Sequence, residues 1–261
     1  MHSVKPAYAT GWEVRAAARA GEWTEPTRGL APGYLQAGLV AVPRDLAYDF
    51  LLFCMRNPKP CPIVDVTDVG SPEPRRAAPG ADIRTDFPGY RIYRKGVVEA
   101  ETTDIMAHWH DDLVGFLIGC SLSFEWALEQ AGIGMREKHE VRGNPIYVTN
   151  IQCAPSGPFE GPMAVTMRPV KGSQVADAVR VTAALPLAHG APVHVGSPDS
   201  IGVDLKHADV NAPLPLEPDD IPVFWACSIT PQIIAQRVKI DFMITHSPSK
   251  MFVTDLKIGS V

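Results

Sequence analysis

Apolar positions along this chain switch between a helical period and short extended runs. Thr10-Gly11-Trp12-Glu13 has the spacing of a capping box and predicts a helix to about Ala20. Residues 25–34 read as a Pro/Gly loop. Pro43 to Arg56 carries apolar residues at helical spacing, and Asn57-Pro58 stops it. Ile63 to Val66 and Tyr90 to Tyr93 read as strands, and 71–81 as an exposed loop. Asp111 to Ala131 is expected to be a buried helix ended by Gly132. Ile146 to Cys153 and Met163 to Pro169 follow as strands, then Ser173 to Ala184 as a helix. Three short strands come next, Val193 to Val195, Val223 to Ala226 and Phe242 to Ile244. Each is followed by a tight turn holding Pro198, Pro231 or Pro248.

Short apolar strands alternating with helices predict an α/β fold. The expected form is a mixed, largely parallel sheet flanked by helices, with a smaller inserted two-layer α/β domain at 112–187. Segments 1–111 and 188–261 would together make the main domain. Ligands of such sheets bind beyond the carboxyl ends of the strands, which points to the three Ser/Pro turns.

Composition sharpens this picture in a few places. The 261 residues include 25 prolines, about twice the usual share. They avoid the interval between Pro88 and Pro145 and recur after strands. A net charge of −5 argues against nucleic acid or an anionic membrane as partner. The N-terminal segment lacks the apolar core of a secretory signal, and the longest apolar run is too short to cross a bilayer. Five scattered cysteines with no C-x-x-C pair suit a reducing compartment, so a cytoplasmic location is expected.

Several constellations carry candidate chemistry. His194 lies on a strand just before Gly196-Ser197-Pro198, which suits a general base; a core histidine bonded to a carbonyl is the plain alternative. Phe224 to Gln232 ends a strand with Cys227, Ser228 and Thr230 before a helix. The N–H groups there suit a carboxylate, with Thr230 as cap, and Cys227 is either a nucleophile activated by the helix end or a buried unreactive thiol. Asp82, Arg84 and Asp86 gather around a proline turn, either as a carboxylate site or as a surface ion-pair network. Asn150 and Arg168 lie on neighbouring strands as further polar candidates. His108-Trp109-His110 is a poor metal element, because helical residues two apart do not share a face.

Taken together, several segments resemble the hydro-lyase family of D-glutamate cyclase-like proteins. The blocks are Gly29 to Tyr34, Arg56 to Pro62, Asp82 to Asp86, Asp111 to Phe116 through Ser123-Phe124-Glu125, Thr149-Asn150-Ile151, His189 to His194, Phe224 to Cys227, Thr230-Pro231-Gln232 and Met251 to Asp255. They span most of residues 29–257. Departures fall at Gly38, where the family pattern has Asn, at Ser228, where it has Gly, and in the 246–250 turn, usually richer in Ala and Gly. A two-part α/β fold is also implied.

The resemblance implies cyclisation of D-glutamate to 5-oxo-D-proline with loss of water. Such a reaction needs a base for the α-ammonium, with His194 or His246 as candidates, and an acid for the γ-carboxyl, with Asp82 or Asp86. Ser228, Thr230 and N–H groups after Cys227 would serve the oxyanion. Arg84 or Arg168, with Asn150 and Ser197 nearby, would hold the substrate. No cofactor is required by the sequence; a divalent metal would need His189, His194, Asp204 and His246 to converge. The expected partner is a small acidic substrate, with a homo-oligomer as default. Two other readings stand beside it: a hydro-lyase for another hydroxy acid, and a non-catalytic binder of acidic metabolites or accessory subunit.

Overall fold

The computed structural model describes residues 8–134 and 144–260. Its first helix, α1 (Gly11–Arg19), opens on the capping box: Glu13 N–H donates to Thr10 Oγ1 at 3.3 Å, and Thr10 N–H donates to Glu13 Oε2 at 2.9 Å. β1 (Tyr34–Pro43) follows the expected 25–34 loop, in a stretch to which the sequence assigned no element. Its residues are buried on both sides, so it lacks the polar alternation that marks a half-exposed strand. α2 (Arg44–Arg56) then runs to the Asn57-Pro58 stop.

The segment 111–131 is not one helix. It is β5 (Leu113–Gly119) followed by α3 (Leu122–Gln130). A continuous apolar run fits a buried strand and a buried helix equally well by periodicity. The first sheet also takes in β2 (Ile63–Val66), β3 (Tyr90–Arg94), β4 (Val97–Thr102), β10 (Phe242–His246) and β11 (Phe252–Lys257). Its order is β2-β5-β1-β10-β3-β4, with β11 also on β1. The second sheet, in the order β6-β7-β9-β8, holds β6 (Ile146–Gln152), β7 (Pro162–Lys171), β9 (Asp220–Ala226) and β8 (His194–Val195). Segment 112–187 is therefore divided, since β5 is internal to the first sheet while β8 and β9 complete the second.

Every described pairing is antiparallel, which corrects the expected largely parallel sheet. The crossovers themselves exist. β1 and β2 are joined through α2 and point the same way, but β5 lies antiparallel between them. Likewise β7 and β8 flank β9, joined through α4 (Val175–Ala183). The α/β class holds; adjacency, set by a strand from elsewhere in the chain, is what changes.

Alternation places the cores. On β1, Leu39 and Ala41 face a layer of loops holding Ala77, Ile83 and Phe87, while Val40 and Val42 face Phe50 and Phe53 of α2. On the second sheet, Val223 and Trp225 pack on α3 and α4, and Met167 and Phe224 pack on the 201–214 segment. α5 (Thr230–Val238) leaves the second sheet and buries Ile234 and Ala235 in the α2 core of the first. The seam where β5, β9 and β10 each end holds the main cleft.

Candidate active site

The cleft encloses about 530 Å3, its open mouth included. Two of its walls are built alike. β5 runs into Cys120-Ser121 and then α3; β9 runs into Cys227-Ser228 and then α5, and both dipeptides line the cleft. Neither helix start has an oxygen side-chain cap; the first-turn N–H groups bond back to Cys120, Ser121, Cys227 and Ile229, so what the two nine-residue helices turn toward the cleft is their positive ends. These positive helix ends favour carboxylates there.

The two thiols share a local geometry, each accepting the N–H two residues further on, from Leu122 and from Ile229. Burial pushes Cys120 up to about 12, and a charge on Cys227 would push it further. Burial also raises Cys227, against the Ile229 N–H and Arg168, which both pull it down. At neutral pH both are therefore thiols.

Behind Ser121 lies a charged knot. Arg168 on β7 is fully buried, its guanidinium 4.7 Å from the Phe124 ring centre and 5.8 Å from that of Trp225. Its Nη2 donates to Glu125 Oε1 at 2.7 Å and to Ser121 Oγ at 3.2 Å. Nε and Nη1 have no partner among the described residues. The same Glu125 oxygen accepts from Arg28 Nη2 at 3.2 Å and Asn144 Nδ2 at 3.3 Å. That leaves Asn144 Oδ1 without a partner among the described residues, and the hydroxyl of Thr166 is equally unpaired there. Both residues are more than nine-tenths buried and both line the cleft. An unmet acceptor in such a place costs stability unless a ligand satisfies it.

His246 closes the third wall. β11 pairs with β1 up to Ala37 and β10 pairs from Val40 onward, so Gly38 and Leu39 fall in a gap between the two ladders. The imidazole fills that gap. Its Nδ1 lies 3.1 Å from the Leu39 nitrogen and 3.3 Å from the Leu39 carbonyl oxygen. Burial lowers the His246 pKa to about 4, with help from the Arg91 charge and against the bond to Leu39. The ring is therefore neutral, and its pKa lies below that of the near-neutral base expected from the sequence.

Residues 114–255 match the family model described as D-glutamate cyclase. A "Putative hydro-lyase" of Bacillus licheniformis is 54% identical over 246 residues, covering 94% of each chain. Another, from Stutzerimonas stutzeri, is 55% identical over 94% of this chain and 92% of its own. A third, from Bacillus subtilis, is 51% identical over 95% and 97%. The chain belongs to the D-glutamate cyclase family. Its relatives carry hydro-lyase names, and among the cleft residues named above only Arg28 lies outside the matched span.

Of the residues singled out from the sequence of this D-glutamate cyclase family member, Cys227, Ser228 and His246 line the cleft, and Arg168 stands behind Ser121. Others lie elsewhere. His194 pairs directly with Phe224, and Phe224 with Met167, so it sits on the face turned away from Thr166 and Arg168. Its Nε2 is 2.9 Å from the Ser197 carbonyl oxygen, and Ser197 and Asn150 are exposed. Asp82 and Arg84 pair with each other at 2.7 Å, while buried Asp86 pairs with Arg19 at 2.7 Å. Thr230 is not the cap: its hydroxyl donates to the Cys227 carbonyl at 2.7 Å and accepts the Ala164 N–H at 3.1 Å, tying α5 to β7.

Among the described residues no three His, Cys, Asp or Glu side chains converge, so His189, His194, Asp204 and His246 are not gathered. His189 instead meets the Lys59 carbonyl at 2.6 Å, and Asp204 meets His207. Sequence reasoning missed Arg28, Cys120, Ser121, Glu125, Asn144 and Thr166. One signal was available: Cys-Ser directly after an apolar strand occurs twice, at 120–121 and 227–228. No helix of the described residues is long and apolar enough to cross a membrane.

Proposed function

We propose that this cleft cyclises D-glutamate to 5-oxo-D-proline with loss of water. The observation that carries the reading is that the positive ends of two helices, α3 at Ser121-Leu122 and α5 at Ser228-Ile229, line one cleft. Two such ends suit a substrate with two carboxylates. Asn144 Oδ1 and the Thr166 hydroxyl supply acceptors for the amino group between them. Arg28 adds a cation on the cleft wall.

Ring closure joins the α-nitrogen to the γ-carbon of one molecule, so holding both carboxylates supplies much of the rate through orientation. The nitrogen gives up two protons in all, and the departing oxygen gains two as water. Cys227, a thiol at rest, donates to that oxygen and is restored by a proton from the nitrogen. Ser228 and the positive end of α5 face the tetrahedral oxyanion, with the neutral imidazole of His246 beside them.

The test is incubation of the purified chain with D- and L-glutamate, with chiral chromatography of the products. Formation of 5-oxo-D-proline from the D-isomer is expected; no 5-oxoproline from either isomer sinks the reading.

A further inference from the structure

Cyclisation leaves one feature of the cleft without a task. Cys120 is a second thiol in the same cleft, mounted on the same strand-Cys-Ser-helix turn as Cys227 but carried by the other sheet. A single thiol would serve ring closure. We propose that Cys120 and Cys227 act as a two-thiol pair that exchanges and inverts the α-hydrogen of the amino acid held between them. This rests on the reading that the cleft binds an acidic amino acid.

The placement fits this chemistry in three ways. The thiols approach from separate helix starts, α3 and α5, and lie near enough that charge on one is felt by the other. Each helix start presents its positive end at the cleft wall, where an α-carboxylate gains a second negative charge as its carbon is deprotonated. The unpaired Asn144 Oδ1 and Thr166 Oγ1 give the amino group two fixed acceptors, which orients the α-carbon relative to the sulfurs.

The step balances without any further reactant. The Cys227 thiolate takes the α-hydrogen as a proton, and the C–H electron pair passes into the carboxylate to form an enediolate. Cys120 gives its S–H proton to the opposite face of the carbon, and the electron pair returns to form the new C–H bond. The configuration is inverted, Cys227 is now the thiol and Cys120 the thiolate. Turnover of the opposite isomer, or proton exchange with water, restores the starting state. Burial makes the thiolate the minor form and, once formed, a stronger base than an exposed one.

The experiment uses the full chain in D2O with D-glutamate, L-glutamate, 5-oxo-D-proline and 5-oxo-L-proline as separate probes. The α-proton signal is followed by NMR and the isomers by chiral chromatography. Deuterium at the α-carbon and appearance of the opposite isomer are expected. Cys120→Ser and Cys227→Ser should each lower inversion at least about 100-fold, the scale of losing one acid or base. Melting curves check that each variant is folded, and Cys120→Ala serves as a second variant. Intact α-signals in all four probes with the unaltered chain overturn the proposal, as does exchange that survives both replacements. Formation of 5-oxoproline without α-exchange removes the thiol pair and leaves cyclisation standing. Exchange without 5-oxoproline supports the pair and removes cyclisation.

Discussion

The imidazole of His246 occupies the space that a side chain at Gly38 would need. A Cβ built on Gly38 would lie 2.4 Å from Cε1 and 2.8 Å from Nδ1 of that ring. Gly38→Ala should therefore cost about 1–3 kcal/mol, read as a lower urea midpoint, because the ring is held by Leu39 and cannot yield freely. Glutamate turnover should fall with it. Adding His246→Ala should recover most of the stability, since the two changes share one contact and their costs will not add. Additive losses would show that the clash is relieved elsewhere.

The knot behind Ser121 predicts an asymmetry. Glu125→Gln keeps an oxygen for Arg168 Nη2 but removes the negative charge that balances the buried cation, at a cost of about 3–5 kcal/mol. Arg168→Met leaves Glu125 still bonded to Arg28 and Asn144, so its cost should be smaller, about 1–3 kcal/mol. Chemical unfolding of the two variants compares them directly, and the reverse order would contradict this assignment.

Acid should weaken the fold in a defined window. His246 and His189 are both lowered from 6.5 to about 4, chiefly by burial. Below pH 6.5 the unfolded chain takes up protons that the folded chain refuses until about pH 4. Stability from these residues is thus complete above about pH 7, declines from 6.5 to 4, and falls no further below that. The loss is on the order of 3 kcal/mol for each histidine. In His246→Gln the slope of unfolding free energy across this window should be roughly halved.

Thiol reactivity should be selective. Cys54, Cys61, Cys120 and Cys153 are buried and only Cys227 is partly open. Limiting iodoacetamide should give a single adduct at Cys227 by peptide mass analysis, slowly, because burial disfavours its thiolate. D-glutamate in excess should slow that reaction; equal labelling of the buried cysteines would contradict the placement.

His194→Ala should keep glutamate turnover within about twofold, since surface changes away from a site are usually mild. Its ring faces the opposite side of the second sheet from Arg168. Loss of turnover with an unchanged melting temperature would bring His194 back into the site.

Local chemistry was legible in the sequence where neighbours in the chain decide the outcome. The Thr10–Glu13 box, the Asn57-Pro58 stop and the strand ends at Cys227 and His246 were all visible. Features set by distant segments were not. Leu113 to Gly119 is a strand because β1 and β2 flank it, and nothing in its own spacing says so. Asp82, Arg84 and Asp86 looked like a ligand site because they are dense in charge, yet the fold consumes those charges in its own ion pairs. Glu125 drew no notice beyond its place in a matching block, because its partner Arg168 is 43 positions away.

The strands that split the two crossovers also bear on how the chain can be assembled. β1 and β2 cannot pair with one another; their shared ladder waits for β5, and β7 and β8 wait for β9. The first sheet stays incomplete until residues 242–257 supply β10 and β11. During synthesis, one edge of β1 remains open until residues 242–257 have been made, a topology that folds slowly and exposes an unpaired strand on the way.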